Sequence, residues 1–203
     1  VEVCDLRGGR VERRRADPFR VLSREFAAWR VAPPPGFDLP FAGGAVGYFS
    51  YDLRHCIERL PRRCEYDVDV PDVTLCFYDQ ALVFDHTRGI TEWVGLDGAR
   101  CELPKPLDEP AAEGTFEPVE LTSDFSRQAY LEAILRAKDY IAAGDIFQVN
   151  LAQRFSGFCT ADGLTIYGRL RRTNPAPFAA FLRYPDFEII SSSPERFLLL
   201  DGG

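Results

Sequence analysis

The sequence contains no methionine, two histidines, and six cysteines with no Cys-x-x-Cys pair among them. Each scarcity excludes something. A zinc site needs ligands clustered at short spacing. Cys4, Cys56, Cys64, Cys76, Cys101 and Cys159 are instead scattered, and His55 and His86 lie far apart. Free thiols, buried or half-buried in a reducing cytoplasm, are the expected state. Neither histidine stands in an arrangement with serine, cysteine or aspartate that a sequence alone supports as nucleophilic machinery. No run of about 20 apolar residues is present, which excludes a membrane-spanning helix. The opening "VEVCDLRGGR" lacks the apolar stretch of a signal peptide. With methionine absent even at position 1 and the chain already strand-like at Val1, an N-terminal piece is expected to be missing.

What is present is ordinary in bulk. The 203 residues are 46% hydrophobic and 27% charged, as in a globular protein that buries roughly 70% of its unfolded surface. The formal charge of -7 and a pI near 5.0 disfavour a non-specific nucleic-acid role. An anionic ligand would need a local basic pocket or a bound cation.

The first half reads as strands and turns. "GGAVGYFSYDL" alternates small and aromatic residues, with Gly43, Gly44 and Gly47 suited to close sheet packing. "DVTLCFYDQALVFDH" is rich in β-branched and aromatic residues, breaks near Asp79, and can pair with "GITEWVGL" through the turn "HTRG". In "DPFRVLSREFAAW", Phe19, Leu22, Phe26 and Trp29 recur at helical spacing. Residues 104–124 hold prolines and acids without periodicity and read as a linker between a region 1–103 and a second region 125–203. "SRQAYLEAILRAKDYIAAGD" is the clearest helix, with Ser126 as N-cap, a stripe of Tyr130, Ile134, Ala137 and Ile141, and Gly144 as its stop. "DIFQVNLAQRFSGF" alternates Phe147, Val149, Leu151 and Phe155 with Gln148, Asn150, Ala152 and Arg154, which predicts a strand with one apolar and one polar face. A short helix around "LTIYGRLRRT" follows. The end of the chain then predicts two strands joined by "YPDF" and a third after Pro194. Hairpins mixed with helices give an α+β fold with antiparallel sheets.

Few residues carry chemistry on spacing alone. "GGAVG" lacks the G-x-G-x-x-G spacing and the following helix that a phosphate cradle requires, and tight sheet packing explains it better. "RVERRR" reads as solvated surface, while "RLRRT" is open between surface and anion site. The polar face of Gln148, Asn150 and Arg154 reads as solvent-exposed. Glu195 in "SSSPERFLLL" would by default be a solvated or salt-bridged acid.

Three blocks, "GDIFQVNLAQRF", "NPAPFAAFLRY" and "SSSPERFLLL", in this order and spacing, resemble the chorismate-utilising enzymes, a family that includes anthranilate, aminodeoxychorismate, isochorismate and salicylate synthases. "GGAVGYFSYDLRHCIERLP" followed by "VPDVTLCFYDQALVFDH" resembles the N-terminal region of the two aminating branches, so the resemblance runs from about Asp17 to Gly203. Asn150-Leu151-Ala152, "PAPFAAFL" and "SPERFL" lean toward component I of the aminodeoxychorismate (para-aminobenzoate) synthase branch rather than the anthranilate synthase branch.

The resemblance implies an α+β fold of antiparallel sheets flanked by helices, incomplete at both ends. It also implies amination of chorismate, with ammonia from a glutamine amidotransferase subunit. In the family a general acid protonates the departing ring hydroxyl, and Glu195 matches that glutamate. Free glutamate titrates at about 4.3, so the role requires a raised pKa, which partial burial would favour and an approaching Arg196 would oppose. Strand alternation places Arg196 on the opposite face. The resemblance further implies a covalent lysine, a carboxylate-gripping arginine and Mg²⁺ ligands beyond Gly203, so that this chain alone is expected to be inactive. "NPAPFA" matches the family's tryptophan-binding segment at Asn174, Pro177, Phe178 and Ala179. The alternative, that Pro177 and Phe178 are core at a strand start, stands beside it.

Overall fold

A computed structural model describes residues 1–5, 9–29, 35–41, 43–62, 66–96 and 119–200. The chain divides into two compact units, Val1–Pro106 and Leu107–Gly203. Every sheet among the described residues is a two-stranded antiparallel ribbon. The architecture is therefore α+β.

In the first unit, β1 (Glu2–Asp5) pairs with β2 (Arg10–Arg13), placing Glu2 opposite Arg13, whose Nε donates to the Glu2 carboxylate at 2.5 Å. Helix α1 (Pro18–Ala28) starts where expected. Asp17 accepts from the amides of Phe19 and Arg20, and Pro18 fills the first helical position, where no amide is needed. Its apolar stripe turns Phe26 and Trp29 onto Phe77, with ring centroids 5.3 and 5.4 Å apart. Phe77 lies on β4 (Val73–Tyr78), which pairs with β3 (Gly44–Phe49). A 3₁₀ turn (Tyr51–Cys56) follows β3 and buries Leu53. The long β-branched run breaks at Asp79, as expected. Its second half forms β5 (Gln80–Asp85), paired with β6 (Ile90–Gly95) across a turn capped by Asp85, which accepts from the amides of Thr87 and Arg88. An open apolar groove of about 650 Å³ is lined by Phe19, Leu22, Phe26 and Phe49.

In the second unit, β7 (Thr122–Ser123) pairs with β8 (Phe155–Ser156). Of the expected linker 104–124, residues 104–118 lie outside the described residues. Its last residues are bonded rather than free: Asp124 donates its amide to Arg154 O and accepts the Arg154 amide. Helix α2 (Arg127–Ala143) is capped by Ser126, which accepts from the Ala129 amide at 3.1 Å. It ends at Gly144, with φ at 84° and the Asp145 amide reaching back to Tyr140 O. Helix α3 (Gly163–Thr173) is capped by Asp162 and carries Arg171 and Arg172 in its last turn, where cations suit the helix dipole. It packs on the hairpin of β9 (Phe178–Arg183) and β10 (Glu188–Ser193) through Tyr167 stacked on Phe181, 5.7 Å between centroids. The "YPDF" turn closes this hairpin through Tyr184 N to Phe187 O at 2.9 Å.

Two expected strands are absent. Of the alternating run 147–155 only Phe155 joins a ladder, and residues 194–200 form no strand. Alternation marks which face is to be covered. A strand forms only where a neighbour receives its backbone groups, and among the described residues Thr122–Ser123 alone does so for this run. The consequence is exposure: Phe147 is 92% exposed and Phe197 93%. Val21 and Leu53 are the buried hydrophobic residues among those described. Two-stranded ribbons cannot bury both their faces. The same geometry corrects the expected thiols, since Cys4, Cys56 and Cys159 are exposed and only Cys76 is half-buried; Cys64 and Cys101 lie outside the described residues.

Two predictions arise here. Gly144 has open space where a Cβ would stand, so the cost of Gly144→Ala is the left-handed backbone alone, about 1 kcal/mol. Urea denaturation followed by helical circular dichroism measures it, and Gly144→Asn should recover part. The second concerns acid. The Thr165 hydroxyl and amide hold Asp162 below the ordinary carboxylate range, and the Arg88 amide and guanidinium do the same for Asp85. A depressed carboxylate stabilises the fold above its unfolded pKa, and that contribution is lost as pH falls through the lower folded value. Stability should therefore fall below about pH 4, and Asp162→Asn should flatten this acid limb in denaturation curves at pH 2 to 7.

Candidate functional site

The β9–β10 hairpin positions the candidate residues. Its register sets Phe178 opposite Ser193 and Ala179 opposite Ser192 at the open end, and Arg183 opposite Glu188 at the turn. The three blocks that carry the resemblance meet this hairpin differently.

Glu195 lies two residues beyond β10, in a bend, and is exposed. Ser193 Oγ donates to its backbone carbonyl at 3.0 Å. Among the described residues no hydrogen bond or ion pair reaches its carboxylate. The partial burial expected of it is not met, because no layer among the described residues covers 194–200. The separation of Arg196 from Glu195 also has a different cause from the one expected. The strand stops at Ser193, so alternation does not act. The Arg196 guanidinium instead lies over the Phe178 ring, 5.2 Å from its centroid.

Asn174 ends α3 and is fastened to β10: Ser192 Oγ donates to Asn174 O at 2.7 Å, and Asn174 Nδ2 donates to Ser192 Oγ at 3.3 Å. Pro177 is exposed in the turn before β9, Phe178 is 37% exposed at its start, and Ala179 is half-buried with its amide on Ala176 O. Neither Pro177 nor Phe178 is core here, so that alternative does not describe these residues. Asn174, Phe178 and Ala179 do share the open end of the hairpin with the Glu195 bend.

Gln148, Asn150 and Arg154 do not form a common strand face. Gln148 Nε2 bonds Asn150 Oδ1 at 3.4 Å, while Arg154 is tied through its backbone to Asp124. "RVERRR" is exposed on and beyond β2 as expected, except at Arg14, which is half-buried with its Nη2 2.7 Å from the Glu12 carboxylate. "RLRRT" serves the C-terminal turn of α3, where Arg171 lies over Tyr167 at 5.7 Å. Sequence reasoning passed over Ser192 and Ser193, which fasten the Asn174 segment and the Glu195 peptide to one strand. The run of three serines before Pro194 was the available signal.

Among the described residues no three His, Cys, Asp or Glu side chains converge, so these residues do not build a Mg²⁺ site. No helix among them is long and apolar enough to cross a membrane.

The profile of the chorismate binding enzyme family matches residues 4–203. Aminodeoxychorismate synthase component 1 of Klebsiella aerogenes is 38% identical over 194 residues, 93% of this chain and 42% of that protein. Anthranilate synthase component 1 of Thermus thermophilus is 39% identical over 213 residues, 98% of this chain and 45% of that protein. The crystal structure of anthranilate synthase component I from Streptococcus pneumoniae TIGR4 superposes with a TM-score of 0.68 at 26% identity, over 92% of this chain and 45% of that one. The chain thus spans less than half the length of these relatives. With a family profile matched over nearly its whole length and an antiparallel α+β framework shared with a solved relative, the chain belongs to the chorismate binding enzyme family.

Proposed function

We propose that the chain works as part of component I of an aminodeoxychorismate synthase. The complete enzyme aminates chorismate to 4-amino-4-deoxychorismate in the cytoplasm, with ammonia from a glutamine amidotransferase subunit, for para-aminobenzoate and folate biosynthesis. The observation that carries this branch over its sister is the form of the motifs: Asn150-Leu151-Ala152, Ala176-Pro177-Phe178, and Arg196-Phe197 after Glu195. Overall identity does not separate the branches, at 38% against 39%.

In this reading Glu195 protonates the departing ring hydroxyl, since hydroxide leaves poorly without an acid. The lysine, the Mg²⁺ ligands and the carboxylate-binding arginine belong to the remainder of the complete enzyme, and this chain alone does not turn chorismate over. In this reading that remainder also covers Phe147, Val149, Phe158 and residues 197–200, which are exposed here. Tryptophan is the candidate ligand of Asn174, Pro177, Phe178 and Ala179, and calorimetry on the complete enzyme tests it; absence of heat removes it.

The second reading within the family is anthranilate synthase component I, favoured by the Thermus relative, which aligns over more of this chain. A third, a non-catalytic binding module on the same scaffold, is favoured by the exposure of Glu195. The intact mass of the native polypeptide separates the third from the others. A mass well above 22.9 kDa supports a larger enzyme, and a mass of 22.9 kDa supports the module.

A further inference from the structure

Arg196 follows the candidate acid directly, and an adjacent guanidinium is the charge best placed to hold that acid ionised. Its guanidinium carbon lies instead 5.2 Å from the centroid of Phe178. The register explains how it reaches there. Phe178 pairs with Ser193, so its ring stands beside the point where β10 ends and the chain bends through Pro194. The bend is held from a second side by Ser193 Oγ on the Glu195 carbonyl. The neighbouring rung is fixed by the Ser192–Asn174 pair of hydrogen bonds.

Two of the cations near the hairpin are engaged elsewhere. Arg183 and Glu188 pair with each other at its turn end, and Arg171 lies over Tyr167. Arg196 is the cation next to Glu195 in the chain. Two modest attractions compete for it, the Phe178 face and the neighbouring carboxylate, and both belong to the weak, exposed class. Removing the ring removes one of the two.

We infer that Phe178 is a positioning residue for the acid: by holding Arg196 on its face it keeps the guanidinium off Glu195. The inference rests on Glu195 being the general acid. Phe178 need not touch substrate to act in this way.

The test has two parts. In the chain itself, the Arg196 side-chain methylene protons should show upfield ring-current shifts by NMR, and Phe178→Leu should abolish them. Unshifted protons in the unaltered chain overturn the inference. In the complete enzyme, Phe178→Leu frees Arg196 to pair with Glu195, and the basic limb of the turnover–pH profile should move down by about half a unit, the size of an exposed ion pair. Turnover at a fixed pH above that limb then falls about threefold. Phe178→Leu combined with Arg196→Met should return the limb to its original place. A purely structural role for Phe178 would lower turnover at every pH, without moving the limb and without rescue by Arg196→Met. Glu195→Gln separates the two ideas. If that variant turns over normally, the acid assignment fails. If it is inactive while the Phe178→Leu limb stays in place, only the positioning role fails.

Discussion

Glu195→Gln in the complete enzyme is expected to lower turnover about 10²- to 10⁴-fold, the range a general acid supplies, with no measurable change in unfolding. The two halves of this expectation have separate grounds. Glutamine keeps the size and one hydrogen-bonding oxygen of glutamate, but its amide N–H is far too weak an acid to protonate the departing hydroxyl. Stability should be untouched because the Glu195 carboxylate makes no hydrogen bond or ion pair among the described residues, and only its backbone carbonyl is held, by Ser193. Surface changes away from such contacts lie within about 0.5 kcal/mol. Single-turnover kinetics with chorismate and ammonium, beside chemical denaturation of both proteins, measures the pair. Turnover within a factor of a few of the parent removes Glu195 from the mechanism.

The second large effect is structural. Gly47 faces Leu75 across the β3–β4 ladder, and a Cβ there would overlap the Thr74 carbonyl oxygen and stand 2.9 Å from Leu75 Cα. Both obstacles are backbone, so neither can rotate aside as a side-chain tip would. Gly47→Val must push the strands apart, and a loss of about 3 kcal/mol is expected, at the upper end for overpacking because ladder hydrogen bonds stretch with it. Such a loss is a large share of the stability of an ordinary domain, about 5–15 kcal/mol in all. Thermal unfolding and the amide spectrum of residues 44–49 and 73–78 report it. Unchanged amide positions across that ladder would show that the close approach is not there.

Legibility in the sequence followed the range of the forces involved. Caps are local, so Ser126 and Gly144 marked helix ends that the structure keeps. A hairpin is nearly local, and "HTRG" and "YPDF" both close one. The runs 147–154 and 194–200 differ from expectation because neither alternation in the first nor the apolar run in the second carries information about a partner strand, and the described residues provide one only at Phe155. The exposed thiols have the same origin, since burial depends on layers that two-stranded ribbons do not supply. At the site, Glu195 was visible through its motif and not through its spacing. The reach of Arg196 to Phe178 was not visible at all, because it depends on where β10 stops and on the register that brings Phe178 opposite Ser193.

The account stands most directly on the product. The complete enzyme is to be incubated with chorismate, Mg²⁺ and ammonium, and the product identified by mass spectrometry and fluorescence. The account predicts 4-amino-4-deoxychorismate, non-fluorescent and with its enolpyruvyl group retained. Fluorescent anthranilate formed together with pyruvate would contradict it.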